Sequence, residues 1–195
     1  RRPVIQSPKI LWGEGLFLRP QHFQRQDAYH EWRLSQAMQV LHPYAWGLRQ
    51  LRVDTASLAS GVLRIDELQL VMPDGDFVNA PADDALPPVL SLAGIPQSMT
   101  DVVVHAALAP TRAAGGNYSA TEGEGDGRRY AQHAASTADL FTQAAQADLS
   151  YLRRVVRLVA DHEPRDHLVT VPICRLRRNT AGVFEVDTRF VPPSL

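Results

Sequence analysis

The fold is decided between Leu63 and Asn79, where the sequence reads LRIDELQLVMPDGDFVN. Apolar residues alternate with polar ones ahead of a Pro-Asp-Gly-Asp signal, and such alternation is typical of half-buried strands. Proline, aspartate and glycine in succession favour a tight turn. The stretch therefore predicts a β-hairpin between Leu68–Met72 and Phe77–Asn79, with local alternation at Leu63 and Ile65 and again at Leu68, Leu70 and Met72.

Short apolar segments of the same kind recur on both sides of this hairpin, at intervals of about ten residues. They begin near Leu48 and return at Asp101–Leu108, His167–Arg175 and Val183–Val191. Regular short strands of this kind indicate a mainly β protein, built as a sandwich or a barrel. We predict a β-sandwich.

One long helix precedes the strands, at about residues 20–42. Proline suits the first position of a helix, and the sequence holds no further Gly or Pro until Pro43. Helical spacing places one apolar stripe on one face, formed by Phe23, His30, Leu34, Met38 and Leu41.

The pattern leaves residues 137–160 open between helix and strand. Leu149, Leu152 and Val156 have helical spacing, whereas Val155, Arg157 and Val159 alternate as in a strand. Residues 110–130 are rich in glycine and small polar residues, which bury too little apolar surface to offset ordering, so we expect a mobile loop.

A length of 195 residues predicts one domain. We expect it to comprise an arm plus helix (1–46) and a β-sandwich (47–195). The chain does not begin with Met and closes on Val191-Pro192-Pro193-Ser194-Leu195, so we expect a piece of a longer protein.

The composition excludes several classes of function. A net charge of −1 gives no long-range attraction for nucleic acid or anionic lipid. No apolar run approaches the roughly 18 residues that span a bilayer, and a single cysteine, Cys174, permits no internal disulfide. We expect a cytoplasmic protein without nucleic-acid partners.

The residues suggest neither a metal site nor a catalytic site. His162 and His167 are one residue too far apart for an HExxH pair, and Pro164 would break the helix that such a pair needs. His22 and His30 share a helix face but lack a third ligand. Cys174 lies in an apolar strand, where a thiol is usually inert. We therefore expect no metal, no cofactor and no small-molecule substrate.

The most unusual segment is the N-terminal block Trp12-Gly-Glu-Gly-Leu-Phe-Leu-Arg-Pro-Gln-His-Phe23. Two explanations remain open: its aromatic residues clamp the arm onto the core, or they form a docking surface. Aromatic residues and arginine dominate interface hot spots. As a docking surface, the candidate interface residues are Trp12, Phe17, Arg19 and Phe23.

Three blocks of sequence, in order, resemble the type VI secretion baseplate family TssK, also called ImpJ or VasE. They are the block above, extended to Gln24, Gln26 and Asp27; His42-Pro-Tyr-Ala-Trp-Gly-Leu48; and Phe190-Val-Pro-Pro-Ser-Leu195. The similarity runs along nearly the whole chain and does not depend on the 110–130 loop.

The resemblance implies a structural adaptor, not an enzyme. It implies a shoulder domain, similar to that of siphophage receptor-binding proteins, that docks on the wedge subunits TssF and TssG. It also implies a homotrimer, a helical neck and a head that engages TssL and TssM at the inner membrane, with neck and head absent from this chain. It favours a strand at about 150–160.

Two other functions stay open at this point. A carbohydrate-binding or hydrolytic β-sandwich would use acids such as Asp74, Asp76 or Glu163, which catalysis would require as a pair across a cleft. A phage-type receptor binder would share the fold and differ in its partner.

Overall fold

The computed structural model describes residues 6–120, 127–142 and 145–195. Within these ranges the chain is mainly β with one long N-terminal helix, as predicted. In chain order the elements are α1 (Pro20–Leu41), β1 (Gly47–Asp54), the single-turn α2 (Thr55–Leu58), β2 (Val62–Val71), β3 (Phe77–Ala80), β4 (Leu90–Ser91), β5 (Asp101–Leu108), β6 (Tyr118–Ser119), β7 (Tyr130–Thr137), β8 (Ala147–Arg154), β9 (Arg157–Ala160), β10 (Val169–Arg178) and β11 (Phe184–Val186).

The described strands pair into three sheets. The first has the order β1-β2-β3 with β4 also paired to β2, the second β11-β10-β5-β9, and the third β6-β7-β8. Buried apolar residues of the first two sheets form one core, which gives the sandwich arrangement. The largest fully buried side chains in it include Leu63, Ile65, Leu68, Leu70, Met72, Leu108, Ile173 and Leu176.

The predicted hairpin is confirmed as β2 and β3, which pair antiparallel from Leu68 opposite Ala80 to Val71 opposite Phe77. In the first sheet, Arg52 pairs with Glu67 but Val53 pairs with Ile65, so Asp66 forms a bulge in β2. A bulge adds one residue to a strand. For this reason Ile65 and Leu68 both reach the core although they are three residues apart.

Strand β10 runs through the centre of the second sheet and contains a proline. Pro172 pairs with His105 and Cys174 pairs with Val104, so Ile173 is the extra residue of a bulge. Proline lacks the N–H that a central strand donates and is tolerated where a bulge interrupts the ladder. Burial raises the pKa of the Cys174 thiol to about 12, which makes it unreactive as a nucleophile.

The structure resolves the open prediction for residues 137–160 and partly changes the one for residues 110–130. The open stretch 137–160 contains β8 and β9 and no helix in its described part, which confirms the strand alternative. The loop expected at 110–130 is not wholly irregular, because Tyr118–Ser119 pairs in parallel with the start of β7. Thr121 to Asp126, the centre of that loop, lies outside the described residues, and its mobility stays a prediction.

Helix α1 forms within one residue of the predicted bounds, yet none of its residues is buried. Leu34, Met38 and Leu41 of the predicted apolar stripe are exposed to solvent. The helix therefore presents an apolar face that the described part of this chain does not cover. Among the described residues, no helix has both the length and the apolar character needed to cross a membrane.

The last residues of the chain return to β1. The Leu48 N–H donates to the Pro193 carbonyl at 2.7 Å, and the Leu195 N–H donates to the Leu48 carbonyl at 3.1 Å. Gly47 permits this close approach, because a Cβ atom there would lie only 2.6 Å from the Pro193 oxygen. The residues following β11 are thereby joined to the edge of the first sheet.

Asp187 joins the second sheet to the segment after β11. Its carboxylate accepts hydrogen bonds from Arg175 at 2.7 Å and from the side chain and N–H of Arg189 at 3.1 and 3.0 Å. The bonds from Arg189, followed by those from Arg175, lower the pKa of Asp187 below its ordinary value of 3.8.

Asp187→Asn is expected to destabilise the protein at neutral pH and to lose this effect in acid. The pKa of Asp187 is lower in the folded chain than in the unfolded chain. The charged carboxylate therefore stabilises the fold above pH 3.8, and this stabilisation is lost as the pH falls through the pKa of the folded state. Urea unfolding of both proteins across this range checks it. Asp148→Asn, at an exposed strand position, is the control; a deficit that persists undiminished in acid would contradict the prediction.

Candidate docking surface

The arm before α1 folds back along the helix. The Ser7 hydroxyl donates to the Arg25 carbonyl at 3.1 Å, and Ser7 is buried. Further along, the Trp12 ring lies 6.1 Å from the His22 ring and 6.5 Å from the Phe23 ring, between centroids. No residue of the described arm belongs to the sandwich core. The aromatic residues therefore fasten the arm to the first turns of α1, not to the core.

The start of α1 is fixed by the backbone of Arg19. Its N–H donates to His22 Nδ1 at 3.0 Å, while the His22 N–H donates to the Arg19 carbonyl at 3.0 Å. These bonds satisfy groups that would otherwise be unpaired in the first turn. The Arg19 side chain is exposed, so its guanidinium group is accessible for binding.

The structure brings two of the four candidate interface residues together and leaves all four accessible. Trp12 and Phe23 are in ring contact, with exposed fractions of 46% and 54%, and Phe17 is 79% exposed. The apolar surface continues through Leu16 and Leu18 and along α1. Exposed large apolar side chains are typical of interaction sites when they form a patch.

A buried ionic network, which the sequence reading did not find, lies beneath α1. The Arg129 side chain, 2% exposed, contacts Asp74 at 2.9 Å and Asp76 at 2.8 Å through Nη2. Its Nη1 donates to the Ala109 carbonyl at 2.8 Å. The guanidinium group thus joins the β2–β3 turn to the start of β7, 53 residues away.

A second arginine extends the network into β8. Arg154 Nε donates to Asp76 Oδ1 at 2.6 Å, and the Arg154 N–H donates to Asp84 Oδ1 at 2.8 Å. Asp84 is buried and accepts the Asn79 N–H through its other oxygen. The start of β7 and the end of β8 pair with each other, so the network attaches the open end of the β7–β8 hairpin, and with it the third sheet, to the first.

The pKa values of the groups in the network are shifted by their burial and by the charges of their partners. Burial raises the pKa of Asp74, and the Arg129 charge opposes that shift. Burial alone would lower the pKa of Arg129, but Asp74 and Asp76 raise it overall. Burial and the Asp76 charge raise the pKa of Tyr130 to about 12. Both arginines therefore stay charged and the tyrosine stays protonated at neutral pH.

This geometry does not favour the hydrolytic or carbohydrate-binding reading. Asp74 and Asp76 are held in ion pairs to arginine, whereas Glu163 accepts the Ala160 N–H at 2.7 Å in the turn after β9. A glycosidase requires two free carboxyl groups across a cleft. Within the described ranges, no group of three or more His, Cys, Asp and Glu residues could hold a metal ion.

Comparison with known proteins gives consistent results. Residues 22–195 match the model of a bacterial type VI secretion family that includes EvfL, ImpJ and VasE. The chain is 32% identical over 192 residues to the type VI secretion system baseplate component TssK1 of Pseudomonas aeruginosa PAO1, covering 96% of this chain and 42% of that protein. The chain therefore spans about two fifths of the length of this curated relative.

Solved structures show the same similarity in three dimensions. A chain of the TssK-TssF-TssG baseplate subcomplex, solved by cryo-electron microscopy, superposes with a TM-score of 0.89 at 28% identity, over 97% of this chain and 62% of that one. A crystal structure of TssK superposes with a TM-score of 0.85 at 27% identity, over 97% of this chain and 43% of that one.

Proposed function

We infer the function from one premise: this chain belongs to the bacterial type VI secretion family of ImpJ and VasE. Its relatives are components of a baseplate, a structural assembly and not an enzyme. We propose that this chain is the shoulder domain of such a component and acts by docking, without catalysis, in a baseplate assembled on the cytoplasmic side of the inner membrane.

The partners that we propose are TssF and TssG, which are present with the related TssK chain in the solved subcomplex. We further propose that homotrimer formation and attachment to the membrane complex, TssL and TssM, depend on regions outside this chain. The relative's greater length, of which this chain covers 42%, supports that division.

One observation carries the docking proposal: α1 has 22 residues and none is buried. In a folded protein a helix gains most of its stability from packing an apolar face, and here Leu34, Met38 and Leu41 of that face are exposed. A partner that covers both would bury this apolar surface. We propose Trp12, Phe17, Arg19 and Phe23 as its anchors.

Trp12→Ala and Phe17→Ala are each expected to weaken binding to purified TssF–TssG by about tenfold or more, since buried aromatic anchors contribute most to interface energies. Dissociation constants from biolayer interferometry or calorimetry check this. Phe141→Ala provides a control, because Phe141 is also an exposed aromatic residue and lies in the connection between β7 and β8, away from the arm.

The outcomes separate two questions. If the unsubstituted chain binds TssF–TssG and the folded variants bind equally well, these residues are not the anchors. If the unsubstituted chain fails to bind at all, the docking proposal itself is wrong.

A further inference from the structure

Helix α1 is poorly packed on the sandwich. A groove of about 500 Å³ lies between the helix and the turn that joins β2 to β3. Elements that pack on a common core leave few gaps larger than a water molecule, and a side chain beside a gap loses its attractive contacts on that side. In keeping with this gap, none of the 22 residues of α1 is buried.

The contact between α1 and the turn is made by small groups. A Cβ atom on Gly75 would lie 2.9 Å from the Ser35 hydroxyl oxygen and 3.4 Å from the Ser35 Cβ, so the two backbones come close there. Ala28 and Gln39, which precede and follow Ser35 along the helix, line the groove, whereas the larger Leu34 is exposed. Small and polar groups bury little apolar surface, so this contact contributes little free energy.

Polar bonds do not hold α1 to the strands either. Among the described residues, the hydrogen bonds of α1 side chains stay within the helix and its N-cap, as from Gln39 to Ser35 and between His22 and Arg19. Glu31 lines the groove and forms no ion pair in the described part of the chain. The attachment of α1 to the sandwich therefore depends chiefly on the covalent connection that follows the helix.

The arm is bonded to α1 and not to the core. The buried Ser7 donates to the helix backbone at Arg25, and the Trp12 ring lies against the rings of His22 and Phe23. No described residue before Trp46 belongs to the sandwich core or packs against it. The arm and the helix therefore hold each other, and the core stays intact if they move together.

A short connection, residues 42–46, joins α1 to the first sheet. Within it the Ala45 N–H donates to the His42 carbonyl at 3.0 Å, and the Trp46 N–H donates to the Tyr44 carbonyl at 2.7 Å. Tyr44 is exposed, whereas Trp46 packs against the core. Parts of a protein that are held by few buried apolar contacts open separately from the rest. The connection is the place about which such a part turns.

We propose that the described arm and α1, residues 6–41, form a hinged lid that turns as one unit about residues 42–46, between a closed position over the ionic network and an open position in which the sandwich stays folded. In the closed position, which the structure shows, α1 forms one wall of the groove that Arg129 and Asp76 also line. Opening moves this wall away and admits solvent to the network. The inference concerns this chain alone and does not depend on the docking function.

Distances between spin labels test the hinge. Cysteines that carry labels replace Gln24, near the start of α1, and Ser91 in β4, both of which are exposed. Gln24 precedes His42 by 18 residues, about 27 Å along the helix, so a small rotation of the lid displaces it strongly. Pulsed electron paramagnetic resonance is expected to show a broad or two-peaked distance distribution. Cys174 does not take up label, because burial raises the pKa of its thiol to about 12.

Two control pairs calibrate the width of this distribution. Labels in place of Ser91 and Glu185 both lie on the sandwich, and labels in place of Lys9 and Gln36 both lie on the lid, at exposed positions. Each control pair is expected to give one narrow distribution. If the pair that joins lid to sandwich is as narrow as the sandwich pair, the lid does not open and the inference is wrong. If the pair within the lid is broad, the arm and α1 do not move as one unit, which also contradicts it.

A disulfide at the contact between helix and turn is expected to lock the lid closed. Ser35→Cys combined with Gly75→Cys suits this purpose, because a Cβ at Gly75 would lie 3.4 Å from the Ser35 Cβ, close to the separation of about 3.5–4.5 Å in disulfides. Oxidation is expected to slow amide hydrogen exchange in α1 by about tenfold or more and to affect β10 less.

The same double variant in its reduced form is the matched control, since it carries the same substitutions without the bond. Equal exchange of the α1 amides in the reduced and the oxidised protein would overturn the inference. The label distances decide the question by themselves if the disulfide does not form.

Discussion

Arg129→Met is expected to lower the free energy of unfolding by about 3–5 kcal/mol, the usual cost of removing one partner from a buried ionic network. Methionine retains much of the apolar length of arginine, so the loss of charge dominates. Asp74 and Asp76 would remain buried without their shared cation, and the Ala109 carbonyl would lose its donor. Urea denaturation at neutral pH measures the change.

The control for this prediction is the adjacent arginine. Arg128 is exposed and donates to the Tyr118 carbonyl at 2.7 Å, so Arg128→Met is expected to cost about 1 kcal/mol or less. Equal losses from the two variants would mean that the network does not hold the third sheet to the sandwich.

The pH dependence of the Arg129 variant provides a further test. Burial already raises the pKa of Asp74, and Arg129 opposes that rise. Without the arginine the folded-state pKa of Asp74 rises further, and a raised carboxyl pKa means that protonation favours the folded state. The difference in stability between variant and parent is therefore expected to shrink as the pH falls from neutral into the acid range.

Local periodicity was sufficient to predict the elements that pack on the core. Leu68, Leu70 and Met72 alternate with residues of the opposite face, and all three are completely buried. The turn at Pro73 to Asp76 was predictable because its residue types favour one backbone geometry. The start of α1 followed from Pro20 in the same way, since its fixed φ suits the first position of a helix.

The third sheet was not predictable from its own pattern. Leu149, Tyr151 and Leu152 of β8 are all exposed, so solvent reaches both faces of the hairpin and no alternation arises. Its strand structure depends on pairing with β7, which spacing within β8 cannot indicate. The two readings of residues 137–160 were therefore equally compatible with the sequence.

The candidate site, too, has residues that could be predicted from local sequence and residues that could not. Trp12 and Phe23 were identifiable because they lie in one compact aromatic block whose contacts are local. Arg129 and Arg154 were not, because Asp76 is 53 and 78 residues away from them. Their pairing is decided by sheet topology, and an arginine in sequence has no preference for one carboxylate over another.

Gly47→Ala is expected to destabilise the protein by about 2–4 kcal/mol, through backbone strain together with a steric clash. Gly47 has a φ of +138°, which side-chain-bearing residues rarely adopt, and the added Cβ would lie within 2.6 Å of the Pro193 oxygen. Relieving the clash requires the segment at Pro193 to move away from β1. Urea denaturation measures the loss.

Gly61→Ala is a control that lacks the steric clash. Gly61 also has a positive φ, +75°, but a Cβ there would meet no atom within 4 Å. It therefore incurs only the backbone strain, about 1–2 kcal/mol. The φ of Gly47 is farther from the left-handed helical region than that of Gly61, so the excess cost at Gly47 combines added strain with the contact at Pro193. Amide hydrogen exchange isolates the contact: the bonds that join Leu48 to Pro193 and Leu195 are expected to lose protection in Gly47→Ala and to keep it in Gly61→Ala. Retained protection in both variants would show that the segment tolerates the methyl group without leaving the sheet edge.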